Sequence, residues 1–131
     1  MSNSRISLVW SWPLFVLWTL LLCYLMLSPS KGTVRSISLF FGGTEWTDAM
    51  GHVVLIFIET ALAYNLLRHY VSLHRALRYA CWGTLVLGLS LETAQIWIPS
   101  RGASLLDASA ALLGVGLFAV VSRKVLTRVQ Q

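Results

Sequence analysis

Residues 48–67 read DAMGHVVLIFIETALAYNLL, a stretch that is apolar and long enough to cross a bilayer. It nevertheless carries three ionisable residues, Asp48, His52 and Glu59. On a helix that turns about 100° per residue, these side chains fall within about 40° of one another, on a single stripe. Ionisable side chains are costly in lipid, so this stripe is expected to face other helices or a hydrated cavity. The stretch therefore predicts a membrane helix with an internal polar site.

Three further apolar blocks accompany this one. Together the four blocks predict helices at about 6–27, 48–67, 77–98 and 103–121, each near the roughly 20 residues that span the hydrocarbon layer. Hydrophobic residues make up 56% of the sequence, which does not suit a soluble domain of 131 residues. We therefore predict an all-α membrane protein, a four-transmembrane-helix bundle that forms a single domain over residues 1–131. A short helix around residues 31–41, between the first two spans, is expected to lie in the membrane interface.

The net charge is +5, but the distribution of this charge indicates membrane topology and not nucleic-acid binding. If four helices alternate across the membrane, seven of the ten Lys and Arg residues lie on one side, with both termini and the 68–78 loop. The positive-inside rule makes this side cytoplasmic. No basic segment is interleaved with aromatic residues, so nucleic acid is not an expected partner. Cys23 and Cys81 are expected near opposite membrane faces, too far apart for a disulfide.

The same topology places polar residues from three helices in one layer near the outer face of the membrane. These residues are Asp48, His52, Glu92, Gln95, Arg101 and Asp107. Glu92 and Gln95 share a helix face with Gly88. This face is therefore expected to pack closely against a neighbouring helix at Gly88 and to present two polar side chains one to two turns further on. On the last helix, Ala110, Gly114 and Gly116 are small enough to let backbones approach. The third and fourth helices are therefore predicted to pack as a tight antiparallel pair.

Three short motifs in these helices resemble the VanZ-like family of small bacterial membrane proteins. The family pattern reads roughly D-K-x-x-H, then E-x-x-Q, then R-x-x-x-x-x-D-x-x-x-N-x-x-G. The stretch 48–52 matches the first motif, 92–95 the second and 101–114 the third, and the match covers about residues 40–120. Ala49 and Ala111 stand where the family usually has Lys and Asn. These two replacements remove a cation and an amide from the site.

The resemblance implies a multi-pass protein of the bacterial cytoplasmic membrane, in a family named for an accessory factor of teicoplanin resistance. Within the outer layer, Arg101 is a candidate ligand for a phosphate oxygen. His52, oriented by Asp48, is a candidate acid, base or hydrogen-bond donor. Glu92 is a candidate partner of Arg101 or proton acceptor, and Gln95 would orient a ligand.

Three classes of function remain open. The first is binding or modulation of an outer-leaflet lipid, such as a lipid-linked phosphate, or of a glycopeptide. The second is an accessory or structural subunit of a larger membrane complex, in which polar residues only join helices. The third is an intramembrane enzyme acting on a lipid phosphate, with His52 and Glu92 as catalytic candidates. The sequence offers it no nucleophile, H-E-x-x-H or Walker motif.

No cofactor is expected from the sequence. A metal ion held by Asp48, His52 and Glu92 is the alternative, but one histidine among carboxylates selects no particular metal. We therefore assign no metal-binding residues at this point.

Glu59 requires its own explanation because it lies deepest in the predicted membrane. At 1.5 Å of rise per residue it is roughly 16 Å below Asp48, close to the bilayer midplane. A carboxyl group at this depth is either protonated and hydrogen-bonded or part of a proton path. The sequence shows no second acid at the midplane, which favours the protonated, structural role.

Overall fold

A computed structural model describes residues 3–28, 43, 45–98 and 104–129. These residues form four long helices: α1 (Asn3–Leu27), α2 (Glu45–Leu67), α3 (Leu73–Ala94) and α4 (Leu105–Val129), with a single 3-10 turn at Gln95–Trp97. The described ranges contain no strand, so the all-α prediction is confirmed for them. The interfacial helix expected around residues 31–41 lies outside the described residues.

Among the described residues, three helices are long and apolar enough to cross a membrane. Their apolar segments are Leu8–Leu27 in α1, Trp46–Leu67 in α2 and Leu105–Leu126 in α4. These segments indicate a membrane protein that crosses the bilayer more than once. The remaining helix, α3, is less apolar because it carries Arg75, Arg78 and Glu92. A crossing by α3, and with it the four-span bundle, stays a prediction.

All four helices extend beyond the apolar blocks that predicted them, and the extensions of α3 and α4 are the longest. α3 begins at Leu73, four residues before the expected position 77, and its first turn contains His74 and Arg75. α4 continues to Val129, past the expected position 121, through Arg123 and Lys124. Hydropathy detects only the part of a helix that is apolar enough for lipid. The polar turns at the helix ends are therefore missed.

The central helix of the bundle is α2, which packs against each of the other three helices. Ile56 of α2 is fully buried and lies in the main hydrophobic core. This core also contains residues from every other helix, namely Leu22 and Met26 of α1, Leu91 of α3, and Ala111 and Val115 of α4. Polar groups on α2 that face this core must therefore find partners on three different helices.

Glycine allows the closest approach between helices, and it does so mainly between α2 and α4. A Cβ atom added at Gly114 would lie 2.7 Å from the backbone oxygen of Val53, which cannot move aside. A Cβ atom at Gly88 of α3 would lie 3.2 Å from Ile56 Cδ1 and 3.4 Å from Ala111 Cβ. Gly116 is exposed and has open space around it, so the prediction that it allows close packing is wrong.

We predict that Gly114→Ala destabilises the bundle by about 1–3 kcal/mol, since the added methyl group collides with rigid backbone. The matched control is Gly116→Ala, two residues along the same helix. It should leave the free energy of unfolding unchanged or raise it by up to about 1 kcal/mol, because alanine is the better helix former. Unfolding of both variants in detergent micelles measures the difference. Equal stabilities would contradict the packing of α4 against α2.

Candidate functional site at the polar end of the bundle

The beginnings of α2 and α4 and the ends of α1 and α3 lie at one end of the bundle, here called the polar end. Three contacts join these helix ends. Gln95 Nε2 donates to the backbone oxygen of Met26, at 2.8 Å, and connects α3 to α1. The backbone N–H of Ser104 donates to Glu92 Oε1, at 3.0 Å, and connects α4 to α3. The contact between α2 and α4 is made by His52.

The imidazole of His52 is buried between α2 and α4 and is 4% exposed. Its Nδ1 atom lies 2.9 Å from the backbone oxygen of Asp48, one turn earlier, and 3.5 Å from Asp107 Oδ1 on α4. Because a carbonyl oxygen can only accept, Nδ1 carries the hydrogen in the contact with Asp48. The other ring nitrogen, Nε2, is buried and has no hydrogen-bond partner among the described residues. It is therefore available to a ligand.

Two carboxyl groups accompany this histidine. One ligating atom from each of Asp48, His52 and Asp107 lies within 4.8 Å of the others. Asp107 is buried and Asp48 is half-buried. This triad differs from the one considered from sequence, because Asp107 takes the place of Glu92. Two carboxylates beside an imidazole form a negatively charged group that can bind a metal cation, an ammonium group or a hydroxyl group that donates a hydrogen bond.

Glu92 and Gln95 contribute to the polar end in a different way. Both are buried, with 5% and 2% of their surface exposed. Glu92 Oε1 accepts from the backbone N–H group just before α4, so it satisfies one of the donors that a helix start leaves unpaired. Gln95 fixes the end of α1 through Met26. Arg101 lies outside the described residues, so its predicted contact with a ligand stays a prediction.

Glu92 retains one atom for a ligand. Its Oε2 is buried and has no hydrogen-bond partner among the described residues. At the polar end, His52 and Glu92 thus each present an unsatisfied polar atom, and elsewhere in the described residues Glu59 Oε2 and His69 Nε2 are also buried without a partner. A buried polar group without a partner costs about 1–3 kcal/mol, so it requires an explanation such as a bound ligand.

Glu59 belongs to a separate contact, with α1. It is 1% exposed, and its Oε1 atom lies 2.9 Å from Thr19 Oγ1. The same hydroxyl lies 2.8 Å from the backbone oxygen of Phe15. A hydroxyl group has one hydrogen, so both contacts are hydrogen bonds only if the carboxyl group of Glu59 carries a proton and donates it. This geometry favours the hydrogen-bonded, structural role over a proton path.

The sequence analysis did not identify the partners of these buried groups. Thr19 binds Glu59, and Ser11 accepts from Asn65 Nδ2 at 2.9 Å, so these two polar residues of α1 join it to α2. Ser104 binds Glu92 through its backbone. A signal for the α1 residues was present, since Ser11 and Thr19 are isolated polar residues in an apolar block. The backbone contact of Ser104 has no such signal.

We predict that Glu59→Gln leaves the free energy of unfolding within about 0.5 kcal/mol of the parent, because the amide can donate to Thr19 as the protonated acid does. Glu59→Ala should destabilise by about 1–3 kcal/mol, since it removes an interhelical hydrogen bond and leaves a cavity. Unfolding in detergent micelles measures both variants. If glutamine is as destabilising as alanine, the carboxyl group is ionised and the geometric argument fails.

Comparison with known proteins identifies no relative of this chain. No family model matches the chain, and no match is found among curated proteins or among solved structures. The resemblance to the VanZ-like family therefore rests on its three motifs and stays a hypothesis. The function has to be argued from the polar end itself.

Proposed function

We propose that this chain is a VanZ-like multi-pass protein of the bacterial cytoplasmic membrane. Its polar end binds the head group of an outer-leaflet lipid, including lipid-linked phosphates, or a glycopeptide. The proposed ligand-binding residues are Asp48, His52, Glu92, Gln95, Arg101 and Asp107.

The observation that carries the proposal is the triad of Asp48, His52 and Asp107, in which His52 and Asp107 are buried and Asp48 is half-buried. A purely structural pair at this position would satisfy its own hydrogen-bonding atoms. Instead, His52 Nε2 has no partner among the described residues, although the side chain is 4% exposed. Ionisable residues within membrane segments are costly to keep, and a functional site is the default explanation for them.

The chemistry of the triad favours a ligand with a positively charged or hydrogen-donating group. Asp48 and Asp107 would accept from an ammonium or hydroxyl group, and His52 Nε2 would accept a further hydrogen bond while Nδ1 donates to Asp48. Arg101 is the cation that this sequence offers for a phosphate oxygen of the same head group. A zwitterionic head group such as phosphoethanolamine carries both features.

The distribution of charge supports an outer location for this end. The Asp and Glu residues of the chain are Glu45, Asp48, Glu59, Glu92 and Asp107. All of these except Glu59 belong to the first turns of α2 and α4 or to the last turn of α3. Most of the Lys and Arg residues belong to the opposite helix ends and the 68–78 turn. By the positive-inside rule, the basic end and both termini are then cytoplasmic.

An intramembrane enzyme is a weaker candidate. Its proposed acid and base, His52 and Glu92, take part in different contacts, the first with Asp107 and the second with the backbone before α4. Catalytic pairs need groups held together around one reacting atom. The geometry therefore supports binding more than catalysis.

A role as subunit of a larger membrane complex is the second candidate, and α3 favours it. Among the described helices, α3 is the long helix whose hydropathy is too low for a typical span. It also exposes a face that includes Trp82, Val86 and Ser90. A neighbouring subunit that covers this face would explain how such a helix is accommodated in the membrane.

Retention of lipid during purification tests the proposed binding site. We expect the parent protein, extracted in mild detergent, to retain phosphatidylethanolamine or added teicoplanin in native mass spectrometry. His52→Ala and Asp107→Asn should each lower the bound fraction about tenfold, because a hydrogen bond to a charged group contributes about 1.5–3 kcal/mol. Both variants should still insert into the membrane.

The matched control is His69→Ala, which removes a histidine from the turn between α2 and α3 at the opposite end. This variant should bind as the parent does. Parent-like binding by His52→Ala and Asp107→Asn, or loss of binding in His69→Ala to the same extent, would exclude the polar end as the site. Neighbouring subunits in the spectrum, with no retained ligand, would favour the membrane-complex role.

A further inference from the structure

We infer that a second binding site lies at the opposite end of the bundle, in a groove between the beginning of α3 and the end of α4, and that it holds an anionic phospholipid. The groove has a volume of about 740 Å³. Its α3 wall is formed by His74, Leu77, Arg78, Cys81 and Trp82, and its α4 wall by Val115, Ala119, Arg123 and Leu126. This site is independent of the function proposed for the polar end.

Each wall of the groove is one face of a helix, and each wall contains an arginine as well as apolar side chains. The α3 residues recur at spacings of three and four, and so do those of α4, which is the pattern of a single helix face. Arg78 and Arg123 are exposed and line the same groove from opposite sides.

The sequence around the groove is rich in basic residues and poor in acidic ones. The chain has no Asp or Glu between residues 60 and 91, and none after residue 107. The same regions contain Arg68, Arg75, Arg78, Arg123, Lys124 and Arg128. The groove therefore lies between two regions whose formal charge is positive. Positive charge attracts anions, and a guanidinium group is the cation best shaped for phosphate.

The apolar lining identifies the anion as the head group of a lipid and not as a free phosphate. Cys81 and Trp82 of α3 and Val115 and Ala119 of α4 line the groove on the side of the arginines that faces the middle of the bundle, and Trp82 exposes 67% of its surface. Arg123 is near the end of the apolar segment of α4, which finishes at Leu126. The arginines thus lie at the depth of lipid phosphates, while the apolar lining lies at the depth of acyl chains. Basic pockets between membrane helices on the cytoplasmic side bind anionic lipid head groups in this way.

Native mass spectrometry of the full chain with added lipids tests this site. We expect the parent to bind cardiolipin or phosphatidylglycerol in preference to phosphatidylethanolamine at this end. The double variant Arg78→Gln/Arg123→Gln should bind the anionic lipid about 30-fold more weakly, which corresponds to about 1 kcal/mol for each cation removed. It should retain any ligand of the polar end, whereas His52→Ala should leave the affinity for cardiolipin unchanged.

The matched control is Arg75→Gln/Lys124→Gln, which removes the same charge from the same two helices but outside the groove lining. This control should weaken binding by less than about threefold, because the groove arginines remain. A second variant, Ala119→Phe, fills the groove without changing its charge and should also release the lipid. Equal losses in the two double variants, displacement of cardiolipin by inorganic phosphate alone, or binding that survives Ala119→Phe would each overturn the proposal.

Discussion

The contact between His52 and Asp107 requires α2 and α4 to begin at the same level and to run parallel. The spacing of residues on the two helices meets this requirement over their whole contact. Two turns beyond Asp107, Gly114 packs against Val53 and Ile56, and one turn further the ring of Phe118 lies 5.5 Å from that of Phe57. A side chain at position 114 would separate the helices. The glycine thus keeps the imidazole and the carboxyl group within reach of each other.

The first helix is attached by a different physical means. α1 contains no Gly or Ala, so its backbone cannot approach another helix as closely as α4 approaches α2. Its polar side chains instead form hydrogen bonds with α2, through Thr19 to Glu59 and through Ser11 to Asn65. Further bonds to α1 run from Trp18 Nε1 to the backbone oxygen of Leu55, from Trp12 Nε1 to the hydroxyl group of Tyr70, and from Gln95 to the end of the helix. Within a membrane such bonds contribute about 0.6–2 kcal/mol each, and the buried polar atoms have no water as an alternative.

The resulting bundle has two chemically different ends. One end contains four of the five acids and the buried imidazole, and the other contains most of the cations and an open groove. Glu59 lies between them, with Oε1 in contact with Thr19 of α1 and Oε2 buried without a hydrogen-bond partner among the described residues. We therefore propose different ligands for the two ends: a hydrogen-donating or cationic group at the first and a phosphate at the second. This separation of charge is also the pattern expected from membrane topology.

The sequence predicted the helices well and their partners poorly, for physical reasons. Hydrophobic blocks locate spans, and helical periodicity places Gly88, Glu92 and Gln95 on one buried face, as the structure has them. Periodicity does not tell which neighbouring helix a face meets. The metal hypothesis therefore groups His52 with Asp48 and Glu92, whereas the structure keeps Asp48 beside His52 and has Asp107 of α4 in place of Glu92. The same limit explains the wrong prediction for Gly116, because the small size of a glycine does not tell which side of the helix faces a neighbour.

The central claim is that His52 and Asp107 interact across the interface of α2 and α4, and a double-mutant cycle tests it most directly. The free energy of unfolding in detergent micelles would be measured for His52→Ala, Asp107→Ala and the double variant. We predict a coupling energy of about 0.6–1.7 kcal/mol, the range found for polar contacts between membrane helices. A parallel cycle of His52→Ala with Ser122→Ala, at the far end of α4, should give less than about 0.3 kcal/mol. Additive effects of His52→Ala and Asp107→Ala would contradict the arrangement of the polar end.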